Sequence, residues 1–407
     1  MAGAYETLEG LFVSVPAFIG GQLDKIFSAA LSTDVMALSA HRGAQVTKAR
    51  ATLLSTAAKK LPAKTLFPAI VRLHASLSGR EREPLLGLLD LLNRALRHGK
   101  TNDVADHYRS IFKLFLTVFD LRRVHSDALE QNDVVAVEDH ALGAFVQFIL
   151  KLNEQLFRPL FLRTYDWAVI DLAEEEDAAA AASGLVARRT VLYRIVDRLL
   201  GQLKSIFVPY FAFMLDQTVD LLEQAAKGEM RDPALWAAVA SALTKAFEFD
   251  ENGESLFPVA YDAEQKADLF SLPSGFWTPA RLAKLATPIA QQLEVPTAVA
   301  PTESYHSLVT AYVSLLGSHE SHLKTFNSRL LHLTRSDDLR VKRAALDTLD
   351  VVWEEVGDGM LGLVPETTPF LAETREETEG GVEAATRKLV KRIEEHLGES
   401  LDEYLEQ

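Results

Sequence analysis

Residues Asp337–Leu405 read DDLRVKRAALDTLDVVWEEVGDGMLGLVPETTPFLAETREETEGGVEAATRKLVKRIEEHLGESLDEYL. In the first part Val341, Ala345, Thr348, Leu349, Val352 and Val356 recur at helical spacing. In the last part Val382, Ala385, Leu389, Val390, Ile393 and Leu397 do the same. Between them Pro365 opens a segment with apolar Leu363, Val364, Phe370 and Leu371 on one side. Each predicted helix has one apolar stripe and one charged face, so none can bury its stripe alone. A stack of helix pairs buries them continuously, which predicts an all-α fold of the α-solenoid class.

Asp337–Leu346 resembles the start of the second helix of a HEAT repeat, and Leu361–Leu371 resembles the first helix of one. The small pair Ala344-Ala345 lets neighbouring helices approach closely. Helix-pair signals recur along the rest of the chain. The 407 residues leave room for about ten pairs at about 40 residues each. The expected organisation is a single HEAT-like solenoid over residues 1–407, a right-handed superhelix without sheet, with loops at 171–184, 250–275 and 294–302.

The order supports this. Leu11–Leu31, with Pro16 near its start, reads as the first helix. Ala44–Leu61 ends at Pro62, and Leu66–Leu77 contains Pro68. Glu83–Arg97 carries Pro84 where an early helical proline is tolerated and stops at Gly99. Val104–Leu121 and Val134–Leu156 follow. Glu174–Gly184, EEEDAAAAASG, has no apolar stripe and reads as an exposed loop. Val186–Ile206 and Val208–Ala226 resume the pattern, and Ala234–Phe247 starts with Asp232 as cap and Pro233. Phe249–Pro273 breaks the rhythm; an irregular stretch this long is uncommon in a compact array. Thr278–Leu293, Tyr305–Leu316 and His322–Leu333 lead into the closing block. Starting among repeats, the Met1 end is expected to lack a polar cap and to expose Phe12, Val13 and Phe18.

Composition narrows the function classes. With no cysteine there is no disulfide framework, thiolate metal site or cysteine nucleophile. The formal net charge of −15 disfavours a polyanion as default ligand, because phosphate neutralisation dominates nucleic-acid affinity. The apolar runs Ile111–Phe119 and Phe145–Leu150 are too short to span a membrane, and the acidic start with Glu6 and Glu9 is not a signal peptide.

Catalytic constellations do not assemble. Gly99-Lys100-Thr101 looks like the end of a phosphate-binding loop, but Arg94 stands where the first glycine is needed. His319 and His322 flank Glu320 without the longer spacing or third ligand that zinc requires. Glu174–Asp177 and Glu376–Glu379 lack calcium-loop spacing. The chain is therefore read as a non-enzyme with no cofactor, no metal and no small-molecule substrate.

Two interaction candidates remain. Arg387, Lys388, Lys391 and Arg392 share one helix face, and Arg340, Lys342 and Arg343 open the helix predicted to lie alongside. Together they form a possible strip for RNA phosphate or an acidic partner, set against a solvated face balanced by Glu383, Glu394 and Glu395. The run LFRPLFLRTYDWA, 156–168, holds Phe157, Arg158, Phe161, Tyr165 and Trp167. These are residue types that anchor protein interfaces, though a bulky helix–helix seam would use the same aromatics.

A wider resemblance rests on three stretches: Leu156–Ala168, the Phe249-Asp250 turn with Phe276-Trp277-Thr278-Pro279, and above all Val351–Leu405. In the last, Val356-Gly357, Leu363–Thr367, Pro369–Glu373, Glu376–Glu379, Val382–Thr386 and Leu397–Leu405 stand in order. The chain resembles the C-terminal region of the giant HEAT-repeat subunit of the nucleolar small-subunit processome, in the UtpA subcomplex. It departs at Gly380-Gly381, where more acidic residues would be expected. The resemblance covers essentially the whole chain. It implies a piece of a longer, non-catalytic scaffold acting in ribosome biogenesis: assembly on the pre-ribosomal RNA, maturation of the small-subunit RNA and support of its transcription. Implied partners are other UtpA subunits and processome proteins, with pre-ribosomal RNA met mainly through the complex. The alternative is a karyopherin-like solenoid that wraps a protein cargo, which fold alone does not distinguish.

Overall fold

The computed structural model describes residues 2–32, 44–77, 81–124, 130–172, 178–250, 275–316, 320–377 and 381–401. Among them there are helices and turns and no strand. The chain forms two compact units, Met1–Arg198 and Leu199–Gln407.

The first unit contains α1 (Ala2–Ser14), α2 (Leu23–Ala30), α3 (Ala44–Lys60), α4 (Ala63–Ser76), α5 (Arg82–His98), α6 (Thr101–Phe119), the single turn α7 (Leu121–Val124), α8 (Gln131–Ile149), α9 (Glu154–Val169) and most of α10 (Ala178–Leu203). Packing alternates along the chain. Helices α1, α3, α5 and α8 stack side by side as one layer, while α2, α4 and α6 stack as another. Helix α5 shows why. Leu85, Leu88, Leu89, Leu92 and Leu96 make a buried stripe, and Leu91 and Ala95 widen it to reach both neighbours. Between α6 and α8 the seam is aromatic. Phe115 meets Phe145 edge-on at 5.2 Å between ring centres, and Phe119 meets Phe145 at 5.5 Å.

The second unit repeats the scheme with α11 (Leu215–Ala226), α12 (Pro233–Glu248), α13 (Pro279–Ala290), α14 (Thr302–Leu316), α15 (Glu320–Leu333), α16 (Leu339–Val356), α17 (Val364–Arg375) and α18 (Val382–Leu397). Helices α12, α14, α16 and α18 form one layer and α11, α13, α15 and α17 the other. Interior prolines occur in α4, α9, α13 and α17: Pro68, Pro159, Pro288 and Pro369. Each removes one backbone donor from its helix. Glycine is required where α16 ends. Gly357 sits at φ +58°, and a Cβ there would come within 3.2 Å of the His396 ring.

The structure departs from the expected elements in several places. Leu11–Leu31 is not one helix: α1 stops at Ser14, and α2 starts at Leu23 after a short 3-10 turn, Gly20–Gln22. Pro16 and the Gly20-Gly21 pair lower helix propensity in between. Phe12 is fully buried, whereas Val13 and Phe18 are exposed, Phe18 by 88%. Within the loop expected at 171–184, α10 already runs from Ala178, because consecutive alanines have the highest helix propensity and extend the helix at little cost. Residues 173–177 lie outside the described residues, as do 251–274 of the loop expected at 250–275. Residues 295–301 are turn and coil, close to the third expected loop. Val208–Phe213 is 3-10 rather than α, around Pro209.

Candidate functional site

Helices α16 and α18 do lie against each other, and Lys388 and Arg392 of α18 reach across to α16, while Arg340 and Lys342 of α16 turn to partners elsewhere. The α18 cations meet at Asp350, which sequence reasoning did not single out. It is buried, receives Lys388 at 2.8 Å, and accepts a bond from Arg392 Nη2 at 3.1 Å. Burial pushes its carboxyl up, but the Arg392 and Lys388 cations outweigh that and hold it below the usual carboxylate range. The signal was legible: Asp350 falls beside Leu346, Leu349 and Trp353 on the apolar side of α16, where a charge needs a partner.

The other cations of the expected strip are engaged too. Arg392 also reaches Glu354 at 3.2 Å. Arg387 pairs with Glu383, Lys391 with Glu395 at 3.6 Å, Arg343 with Asp347 at 3.7 Å and Lys342 with Glu377. Arg340 spends its guanidinium on the carbonyls of Leu293 and Val295, at 3.0 and 3.2 Å. Arg387 and Lys391 remain 75% and 79% exposed, so their pairs are weak surface contacts.

Of the two readings of the aromatic run, its largest rings follow the helix–helix seam. Phe157, Phe161 and Trp167 are buried in the first unit, and Phe157 and Phe161 stand 6.1 Å apart between ring centres. Arg158 and Tyr165 are half-buried. A helix in a two-layer stack needs bulk on its inner face, and α9 meets that need with these rings. Arg163 is exposed and pairs with Asp171 at 2.7 Å.

Trp167 leads to a charged network that the sequence reading missed. Its carbonyl accepts a bond from Arg188 Nη1 at 3.0 Å, and the guanidinium carbon of Arg188 lies 5.0 Å from its ring centre. Arg188 also grips Asp120 with two bonds of 2.8 and 3.0 Å, and Arg123 reaches the same carboxylate at 2.7 Å. Burial raises the Asp120 carboxyl, but Arg188 and Arg123 bring it below its ordinary value. Nearby, Glu138 is 1% exposed and accepts two bonds from Arg122, at 2.9 and 2.8 Å, with Arg194 as further partner. Asp139 joins Arg194 to Arg198 at 3.1 and 2.9 Å. Glu138 lies between Val134, Val137, Ala141 and Leu142 on an apolar stripe, and Arg188 precedes Val191 and Leu192 on another. Charges set in buried stripes were the available sign of such a network.

The Phe276-Trp277 motif is tied to the Phe249-Asp250 turn. Asp250 accepts the backbone N–H of Phe276 at 2.8 Å and that of Trp277 at 2.9 Å. The Trp277 indole donates to the Ala246 carbonyl at 2.8 Å, and its ring lies 4.7 Å from that of Phe247. Arg281 packs over Phe276 at 4.3 Å and donates to its carbonyl. These residues, one of the stretches on which the resemblance rests, therefore clasp the end of helix α12 to the start of α13.

No group of three or more histidine, aspartate or glutamate side chains suited to a metal occurs among the described residues. No helix among them is long and apolar enough to cross a membrane. His319 lies outside the described residues.

Residues 103–254 match the BP28CT (NUC211) domain family. The chain is 32% identical over 359 residues to the U3 small nucleolar RNA-associated protein 10 of Schizosaccharomyces pombe, covering 87% of this chain and 19% of that protein. It is 29% identical over 435 residues to the protein of the same name from Mycosarcoma maydis, covering 99% and 19%. With HEAT repeat-containing protein 1 of Danio rerio the identity is 27% over 378 residues, covering 87% and 16%. The chain thus spans no more than 19% of the length of these relatives. Among solved structures, Kap121p bound to Nup53p superposes with a TM-score of 0.52 at 12% identity, over 99% of this chain and 37% of that one. A Kap121p mutant gives 0.52 at 14% identity with the same coverage. The fold class is all-α, an α-solenoid of HEAT-repeat type.

Proposed function

We propose that the chain is part of a non-catalytic scaffold subunit of the nucleolar small-subunit processome, within its UtpA subcomplex. There it supports assembly on pre-ribosomal RNA, maturation of the small-subunit RNA and transcription of ribosomal RNA. The observation that carries this reading is the similarity, along nearly the whole chain, to proteins named for association with U3 small nucleolar RNA. The placement at the C-terminal end of such a subunit rests on the Val351–Leu405 pattern. Kap121p shares the fold at 12 to 14% identity, which supports no cargo-carrying role.

The scaffold holds its place mainly through protein contacts, with naked RNA a secondary ligand. The net charge of −15 repels a polyanion at long range. The strip at Arg340–Arg343 and Arg387–Arg392 already has carboxylate and carbonyl partners, so phosphate there would compete with them. The experiment is crosslinking mass spectrometry on the tagged full-length protein in nucleolar extract. Crosslinks from these residues to UtpA subunits and recovery of U3 RNA are expected. Recovery of import or export cargo without ribosome-assembly proteins would overturn the reading.

A further inference from the structure

The two-layer alternation in the first unit places three connections on one edge: residues 61–62 between α3 and α4, 99–100 between α5 and α6, and 150–153 between α8 and α9. Helices α3, α5 and α8 end at this edge, and α4, α6 and α9 begin there. The neighbours are physically joined. Lys151 Nζ reaches the Arg97 carbonyl at 3.4 Å, and the rings of Phe67 in α4 and His107 in α6 lie 5.8 Å apart.

This edge carries Lys59, Lys60, Lys64, Arg97, Lys100 and Lys151. All but the half-buried Lys151 are exposed. None of the six makes an ion pair among the described residues. The carboxylates at the same edge are Asp103 and Glu154, in the first turns of α6 and α9. Helix dipoles explain part of the pattern, since cations in the last turns of α3 and α5 are favourable. They do not explain Lys64 and Lys100. These stand at the N-terminal ends of α4 and α6, where a cation is disfavoured and where neither helix has a side-chain cap. An anion seated there would meet both the cations and the free N–H groups of two helix starts.

We propose that this edge of the first unit binds the phosphodiester backbone of RNA. Stacked helices lie about 8–10 Å apart, so three connections give about 20 Å of cationic edge, room for several successive phosphates. Lysine cations and helix N-termini recognise phosphate rather than base edges, so the contact is expected to depend little on sequence. The inference goes beyond the processome reading and does not depend on it, because it concerns direct affinity of this surface for a polyanion.

The test is fluorescence anisotropy of the whole 407-residue chain with a labelled mixed-sequence RNA of about 16 nucleotides, from about 50 to 200 mM salt. Affinity should fall with salt by about 0.7 in log–log slope for each phosphate held. The variant Lys59→Gln/Lys60→Gln/Lys64→Gln/Lys100→Gln should lose roughly tenfold or more in affinity and flatten the slope by about 2–3. The milder Lys64→Gln/Lys100→Gln should flatten it by about 1.4 and keeps the test open if the larger variant melts differently by circular dichroism. Lys388→Gln/Lys391→Gln should bind as the parent chain does. Absence of RNA binding, unchanged binding by both edge variants, or loss confined to the Lys388/Lys391 variant would overturn the proposal. So would polyglutamate competing as well as RNA, which would mark the edge as a dock for an acidic protein.

Discussion

Arg188 in α10 grips Asp120, at the end of α6, with two parallel bonds of 2.8 and 3.0 Å, across 68 residues of sequence. Both groups are shielded from water, and the Trp167 carbonyl takes a third proton of the same guanidinium. These bonds tie the long helix α10 to the end of α6 and, through the Trp167 carbonyl, to the aromatic helix α9.

Breaking the pair from one side strands a charge. Asp120→Ala should destabilise by about 3–5 kcal/mol, and the matched apolar change Asp120→Leu/Arg188→Met by clearly less. Urea denaturation followed by circular dichroism checks both. A double variant as unstable as the single one would argue against a stranded charge as the cause.

Acid should weaken the fold through Asp120 and Asp350. Both carboxyls are held below their ordinary value in the folded chain, so on acidification the unfolded chain takes up protons first. Their contribution is complete above the unfolded value of about 4, and is lost as pH falls from there through the lower folded values. Urea midpoints measured at stepwise lower pH should decline through this window, and Asp350→Asn should decline less steeply than the parent chain.

Phe115 touches Phe119, Phe145 and Phe148 and is fully buried. Phe115→Ala should cost about 3–5 kcal/mol of stability. Phe18→Ser, at an 88% exposed site, should change stability by no more than about 0.5 kcal/mol. Sedimentation should show less self-association for Phe18→Ser, because a large exposed ring is removed.

Gly357→Ala should destabilise by about 1–2 kcal/mol, since an L-residue is strained at the left-handed φ that ends α16. The new methyl would also press on His396. A thermal midpoint equal to that of the parent chain would contradict this.

Helix periodicity was legible because it is local. The stripe in α5 and the cap at Asp232, whose carboxylate accepts the Leu235 N–H at 2.7 Å, needed no tertiary information. The adjacency of α16 and α18 followed from pair stacking alone. Aromatic residue type was ambiguous by its nature: Phe157, Phe161 and Trp167 suit an interface and a core equally, and only packing put them inside.

The sequence by itself determined an all-helical chain of stacked amphipathic pairs, since 3.6-residue spacing and short turns leave few other ways to bury each stripe. Tertiary structure alone decided which charges are free. Arg392 and Lys388 meet Asp350 from another helix, while Lys64 and Lys100 meet no carboxylate among the described residues. Ion pairing depends on distances of a few ångströms between residues far apart in the chain, and composition holds no record of those distances.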